Sequence, residues 1–403
     1  MNASLGADAG PKRFLAYAVG GFGLGANSMV QFLLPLRADE LGIGIGLIGV
    51  LLAIKAVVEA ATSIPLGGFI DRVGARRALL IGTGGSALVA SLFTVADSFI
   101  LLAAVQIAYG VVRPLGWVGA QTYIAGVRAG ADQATDAGRF GFVASSSHIV
   151  APLLVGIGAE LFGVRWAFLV TAAFSLIFFG ISLVLADQPP GVAGNTRRSF
   201  GDGFRRLGVQ GIQVAMLLTF ARLWVPSVWI PLFPLVLVNG GTSPGIASSV
   251  VSVMGVVSAL VSLSAGSLTR WARPEIVTAG GLLAGGIGLG IAPFIDVVPL
   301  AYLGSTLVGI GLGLSLPLLI VIVTRAAPNE QRGLALGLRS SVNQVASAAS
   351  PVAVAGLIGA AGVTAGFAAG GGIAACFVAM AVLRAGRGER RRRGDDAWEA
   401  GEA

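Results

Sequence analysis

A chain of 403 residues that is 55% hydrophobic and only 11% charged, with a mean hydropathy of +0.86, cannot cover a water-facing surface; a soluble domain carries about 25% charged residues. These figures exclude an ordinary soluble globular protein and predict an all-α polytopic membrane protein. The formal charge of +8 would also suit nucleic acid, but basic residues gathered in the loops on one membrane side explain it, and no nucleic-acid partner is expected.

In chain order, Lys12 and Arg13 precede an apolar run over residues 14–36, longer than the apolar region of a signal peptide, and predict a retained first helix. Further runs fall at 44–66, 78–96, 98–127, 140–162 and 165–186. A polar, basic stretch follows. Six more runs fall at 209–238, 244–265, 276–295, 298–324, 333–359 and 362–383. Each is long enough, at about 1.5 Å per residue, for a hydrocarbon core about 30 Å thick. The organisation expected is a cytoplasmic tail over 1–13, a six-helix bundle over 14–187, a cytoplasmic linker over 188–208, a second six-helix bundle over 209–385, and a disordered cytoplasmic tail over 386–403. With both termini inside, 21 of the 27 Lys and Arg residues fall in the cytoplasm and only Arg37 and Arg165 outside, as the positive-inside rule requires. The excess of arginine over lysine, with abundant Ala and Gly, points to a bacterial inner membrane.

The halves repeat at a constant offset of 199. Pro35 maps to Pro234, Gly46 to Gly245, Gly67 to Gly266, Gly82 to Gly281, Gly110 to Gly309, Gly138 to Gly337 and Pro152 to Pro351. Between the second and third runs lies Gly67-Gly68-Phe69-Ile70-Asp71-Arg72-Val73-Gly74-Ala75-Arg76-Arg77, a basic, glycine-bearing hinge expected to turn just before Asp71. Its pattern resembles the signature loop of the major facilitator superfamily, with Gly67, Asp71, Arg72, Gly74, Arg76 and Arg77 all matching. The second copy keeps Gly266 but has Arg270 for Asp71 and Arg273 for Gly74. Arg113 with Gly116, Gly119 and Ala120 is similar to the fourth-helix motif of proton-coupled drug exporters, although Trp117 stands where that motif prefers glycine. Ala151-Pro152 and Val155-Gly156 in the fifth run, with Gly141 ahead of them, keep part of the antiporter pattern, and the stretch from Gly163 to Phe168 looks like the exporter entry to the sixth helix. The resemblance spans residues 14–385. It implies twelve transmembrane helices in two parallel six-helix bundles facing a central cavity, alternating access, and a latch in which Asp71 meets the start of the eleventh helix near residues 332–333.

Charges within spans are expensive and point to function. Four cations lie there, Lys55, Arg113, Arg222 and Arg339, against one carboxylate, Glu59. Lys55 and Glu59 share a helical face. They are either a local ion pair that eases insertion or a proton or substrate site. Desolvation favours a neutral carboxyl and a nearby cation a charged one, the competition a coupling group needs; Glu59 is therefore the first candidate for proton coupling and His148 the second. Candidates for substrate binding are Lys55, Arg113, Trp117, Arg222, Trp224, Asn27, Gln31 and Asn343. For the tryptophans the alternative is packing or interfacial anchoring, for the arginines an inter-helix bond, and for the amides helix-to-helix glue. The excess of cations favours an anionic or zwitterionic substrate.

One cysteine, Cys376, and one histidine leave no disulfide framework and no metal cluster. The only lysines, Lys12 and Lys55, lack a phosphate-loop context. No cofactor, metal or enzymatic activity is expected. The expected function is proton-coupled efflux of a small organic compound by a monomer in the lipid bilayer, with protons as the coupling partner. Uptake or facilitated transport of an organic anion is the alternative, and a membrane enzyme or receptor a minor one.

Overall fold

The computed structural model describes residues 15, 17–127, 133–187, 210–292, 298–326 and 332–401. The expected N-terminal tail, the linker and the loop arginines Arg128, Arg197, Arg198, Arg205 and Arg206 lie outside them. Twelve helices are present among the described residues. The first half holds α1 (Gly20–Glu40), α2 (Ile45–Val73), α3 (Ala75–Leu92), α4 (Phe99–Val127), α5 (Gln133–Phe162) and α6 (Val164–Val184). The second holds α7 (Gln210–Asn239), α8 (Pro244–Leu268), α9 (Pro274–Ile291) and α10 (Val298–Ala326). The segment Arg332–Gly401 breaks at Gly362, where φ is 87°, into α11 (332–361) and α12 (363–401). The fold is that of a polytopic protein with twelve transmembrane helices.

Eight stretches are long and apolar enough to cross a membrane by length and composition, and the last of them, Gly337–Gly386, runs through α11 and α12. The three helices outside these stretches carry polar residues singled out in the sequence: Asn27 and Gln31 in α1, Arg76 and Arg77 in α3, and Ser145 to His148 in α5. Large apolar side chains stand outward, Ile100 at 76% exposure and Leu263 at 82%. Such a surface suits lipid and not water.

The repeat is carried by the helix ends themselves. Adding 199 to the bounds of α3 and α4 gives those of α9 and α10, residue for residue. Two of the first half's three left-handed glycines, Gly42 and Gly163, return as Gly241 and Gly362. The third is Gly74, with φ 89°. It is the single residue between α2 and α3, a conformation that a side chain would strain. The turn is therefore later than the sequence suggests. Gly67 and Gly68 are helical, α2 runs through to Val73, and Asp71 lies in its last turn, because the backbone bonds continue until Gly74 N–H closes on Ile70 O at 2.9 Å. In the second half Arg273 replaces Gly74 and takes φ −62°. Without a left-handed residue the one-residue joint is lost, and α8 ends at Leu268, leaving residues 269–273 to make the connection.

The helix of α12 continues to Gly401, past the point where composition suggests an unstructured tail; Arg, Glu and Ala are strong helix formers, and such a run is compatible with a continued helix.

The chain divides into two compact units, Met1–Asn195 with Ile230–Val256, and Thr196–Trp229 with Val257–Ala403. In the first, Arg76 at the start of α3 ties down the end of α6. Its Nη2 donates to Leu183 O at 2.7 Å and its Nε to Ser182 O at 3.4 Å, while Nη1 pairs with Asp187 at 3.0 Å. Tyr123 Oη adds a bond to Ala186 O at 3.1 Å. Asp187 is 70% exposed, so the ion pair adds little. The carbonyls at a helix C-terminus are the groups that need donors. Arg76→Ala is expected to cost about 1–3 kcal/mol, and Arg76→Lys to recover only part, because one ammonium cannot serve both carbonyls in the same fork. Thermal unfolding of the purified variants measures both.

Candidate functional site

The polar core of the first unit is assembled by α1, α2 and α4. Glu59 and Lys55 stand one turn apart on α2, and Arg113 enters from α4. All three are buried, at 7%, 6% and 8% exposure. Arg113 places Nε and Nη2 on the same carboxylate oxygen, Glu59 Oε1, at 2.7 and 2.6 Å. Its Nη1 donates to Gly23 O in α1 at 3.2 Å. Lys55 Nζ lies 3.6 Å from Glu59 Oε1 and donates to Asn27 Oδ1 in α1 at 2.6 Å. The cluster therefore holds two cations and one anion and carries a net +1.

Close helix approach makes these distances possible. A side chain at Gly23 would run into the ring of Trp117, and one at Gly110 would meet Val58 at 3.0 Å and the carbonyl of Lys55 at 3.3 Å. Trp117 is thus packed on α1, one turn beyond Arg113. Two further residues on the same face of α4 are not singled out by the sequence. Gln106, Tyr109 and Arg113 follow at i, i+3 and i+7. Tyr109 is fully buried, and neither its hydroxyl nor Gln106 Oε1 has a hydrogen-bond partner among the described residues. A buried polar stripe at helical spacing is the signal that could have found them.

His148, on α5, faces α1. Its Nδ1 is 2.7 Å from Ser28 Oγ, and that hydroxyl donates to Leu24 O at 2.9 Å. With the hydroxyl proton on the carbonyl, Nδ1 is the donor to Ser28. Gln31 is half-buried on α1, one turn beyond Asn27.

The second unit is built differently. Arg222 on α7 lines a small cleft with Val225, Pro226, Leu282, Gly285, Val308, Gly311 and Leu312. Its charge repels that of Arg339 on α11. Asn343 is one turn beyond Arg339. Arg222 Nε, Arg339 Nε and Asn343 Oδ1 are all buried without a hydrogen-bond partner among the described residues. Trp224, in contrast, is 4% exposed, stacks on Phe220 at 5.5 Å and donates Nε1–H to Gly370 O at 3.0 Å. It acts as a packing residue between α7 and α12. Of the hinge residues, Asp71 and Arg72 are exposed, as is Arg77, and Gly67 has open space around it. Among the described residues no group of His, Cys, Asp and Glu could hold a metal.

A family model described as the Major Facilitator Superfamily matches residues 14–351 and 215–402. No curated protein sequence matches the chain. Among solved structures, the nucleoside transporter NupG is 12% identical with a TM-score of 0.77, covering 93% of this chain and 98% of its own. A bacterial homologue of the human lysosomal transporter Spinster is 15% identical at 0.73, covering 93% and 95%. A POT family transporter in complex with a thioalcohol-conjugated peptide is 11% identical at 0.77, covering 93% and 96%. At these identities the likeness is one of fold. With the matched hinge, the twelve helices and a family match over nearly the whole length, the chain belongs to the major facilitator superfamily, a family of membrane transporters.

Proposed function

We propose that this protein is a secondary transporter working by alternating access, and that it exports a small organic compound in exchange for protons. The observation that carries the reading is Glu59, a buried carboxylate held by two cations from its own helix and from α4. A proton arriving at Glu59 removes the charge that holds Arg113 and Lys55, and so links protonation to the packing of α1, α2 and α4. The direction rests on the exporter-like run Arg113, Gly116, Gly119 and Ala120. The relatives of known structure handle a nucleoside in one case and a peptide conjugate in another, so they support transport of small organic compounds without selecting one. The positive-inside count supports a bacterial inner-membrane location with both termini cytoplasmic, and no observation calls for more than a monomer.

The test is transport in reconstituted vesicles with and without a pH gradient. Accumulation that follows an imposed gradient in the antiport direction is expected; accumulation in the symport direction would give the alternative, uptake of an organic anion, and indifference to pH would remove proton coupling. The hinge supplies a second expectation. Asp71 lies exposed in the last turn of α2, where a carboxylate is poorly placed for its own helix, which supports a role in docking a neighbouring helix N-terminus. Asp71→Asn is expected to reduce the initial transport rate several-fold with folded yield near wild type. An unchanged rate argues against the latch.

A further inference from the structure

We propose that Arg222, Arg339 and Asn343 form the subsite for the anionic headgroup, a carboxylate or phosphate, of the transported compound. The proposal rests on the transport reading above and adds the chemical class of the substrate.

The internal repeat relates the Arg222 cleft to the Glu59 cluster. At the offset of 199, the lining of the cleft corresponds to Gly23, Ala26, Asn27, Thr83, Ser86, Tyr109, Val112 and Arg113 of the first unit. Among these, Arg113 holds Glu59, Gly23 accepts from Arg113, and Asn27 accepts from Lys55. In the first unit the Tyr109 ring and the Arg113 side chain fill the space. In the second their counterparts are Val308 and Leu312, and Gly285 stands in place of Ser86. Side chains shrink at Val308, Gly285 and Gly311, and Arg222 stands beside them at the cleft. The charges change as well. Glu59 corresponds to Ser258 and Lys55 to Met254, while Gly23 corresponds to Arg222. The second unit has thus lost the acid and gained a guanidinium at the same place.

The contact between α1 and α5 shows that the two places are equivalent. Ser28 and His148 correspond to Ser227 and Ser347, and that pair is also in contact, Oγ to Oγ at 3.3 Å. Arg339 lies two turns before Ser347 on α11, which brings it toward Arg222. No ion pair to a carboxylate is made by either arginine among the described residues. Two guanidiniums that repel each other, each with a buried Nε–H unsatisfied, are costly in a low-dielectric interior, and Asn343, one turn beyond Arg339, has an amide N–H to offer the same anion. An oxyanion relieves the repulsion and accepts from both forks. The cleft admits only a headgroup. Its apolar walls, Val225, Leu282, Val308 and Leu312, lower the local dielectric and strengthen the pull of Arg222 on an anion.

The first unit does not compete for this role. Its Arg113 and Lys55 already face Glu59, whereas Arg222 and Arg339 have no carboxylate partner among the described residues.

Binding to the purified full-length protein in detergent, at constant ionic strength and without a gradient, separates this proposal from the coupling mechanism. The probes are benzoate, its neutral amide benzamide, and inorganic phosphate. Benzoate is expected to bind wild type and benzamide not. Arg222→Gln and Arg339→Gln should each weaken benzoate by about tenfold or more, while Arg270→Gln, at an exposed arginine of the connection between α8 and α9, leaves benzoate binding within a few-fold. Inorganic phosphate binding at the same arginines without benzoate would identify a phosphate headgroup. Equal binding of benzoate and benzamide, no binding of either anion, or anion binding indifferent to both arginine variants would overturn the proposal. Transport by wild type that is indifferent to a pH gradient, with anion binding intact, would count against the coupling reading alone.

Discussion

Glu59→Gln is expected to be the most damaging single substitution in the first unit. The variant keeps the shape of the side chain and removes its charge, which leaves Lys55 and Arg113, at 6% and 8% exposure, without a counter-ion. Breaking a buried ion pair from one side costs about 3–5 kcal/mol, a large share of a typical folding stability of about 5–15 kcal/mol. Thermal midpoint and folded yield should fall together, and gradient-driven transport should be lost in whatever protein remains folded. Lys55→Met should behave differently. It lowers the cluster from net +1 to neutral and keeps the Glu59–Arg113 contact at 2.6 Å, so stability should change little or rise. The double variant Glu59→Gln, Lys55→Met should then recover part of the loss, since a single cation remains. Midpoints of the four proteins close a double-mutant cycle. A Glu59→Gln protein as stable as wild type, or a Lys55→Met protein as damaged as Glu59→Gln, would show that the carboxylate is not what balances this core.

The parts of this fold legible in the sequence are those set by local pattern. Most of the expected spans start within a few residues of the observed helices, because the apolar runs and their glycine or proline punctuation are properties of adjacent residues. The largest departure is at α5, which starts seven residues before its expected span. The Lys55–Glu59 pair is legible for the same reason as the spans, being one helical turn apart. Contacts across the bundle are not. Arg113 meets Glu59 at a separation of 54 positions and His148 meets Ser28 at 120, and nothing local sets which face of each helix turns inward. In α7 that ambiguity is greatest, since no face of the helix is more apolar than another. There the sequence nominates Trp224 and Arg222 alike, and only packing separates the buried tryptophan from the arginine lining a cleft. The sequence places the hinge a few residues early because glycine pairs suggest turns, whereas a helix anchored on both sides runs through Gly67 and Gly68 to the one residue, Gly74, whose φ must be positive.

The repeat itself makes the second large prediction, an unequal response at two matched glycines. Gly82 on α3 faces the backbone of α4: a Cβ there would overlap the Gly116 main chain and lie 2.8 Å from the carbonyl carbon of Leu115. Backbone cannot swing aside, so Gly82→Ala must push α3 off α4. Overpacking of this kind costs about 1–3 kcal/mol or more. The displaced stretch begins two residues after Arg113, so its grip on Glu59 should loosen and transport should fall with stability. Gly281, the counterpart at +199, packs on α10 less tightly. A Cβ there would meet Leu314 Cδ1 at 3.1 Å, the far end of a flexible side chain, Leu314 Cβ at 3.3 Å and Gly311 Cα at 3.6 Å. Leucine can shift by the few tenths of an ångström required, and Gly281→Ala should stay within about 1 kcal/mol of wild type, offset in part by alanine's higher helix propensity. Thermal midpoints and transport rates of the two variants decide the matter. Equal tolerance at both positions would mean that the contact between α3 and α4 is looser than its glycines imply, and that Arg113 is held in place by Glu59 and Gly23 alone.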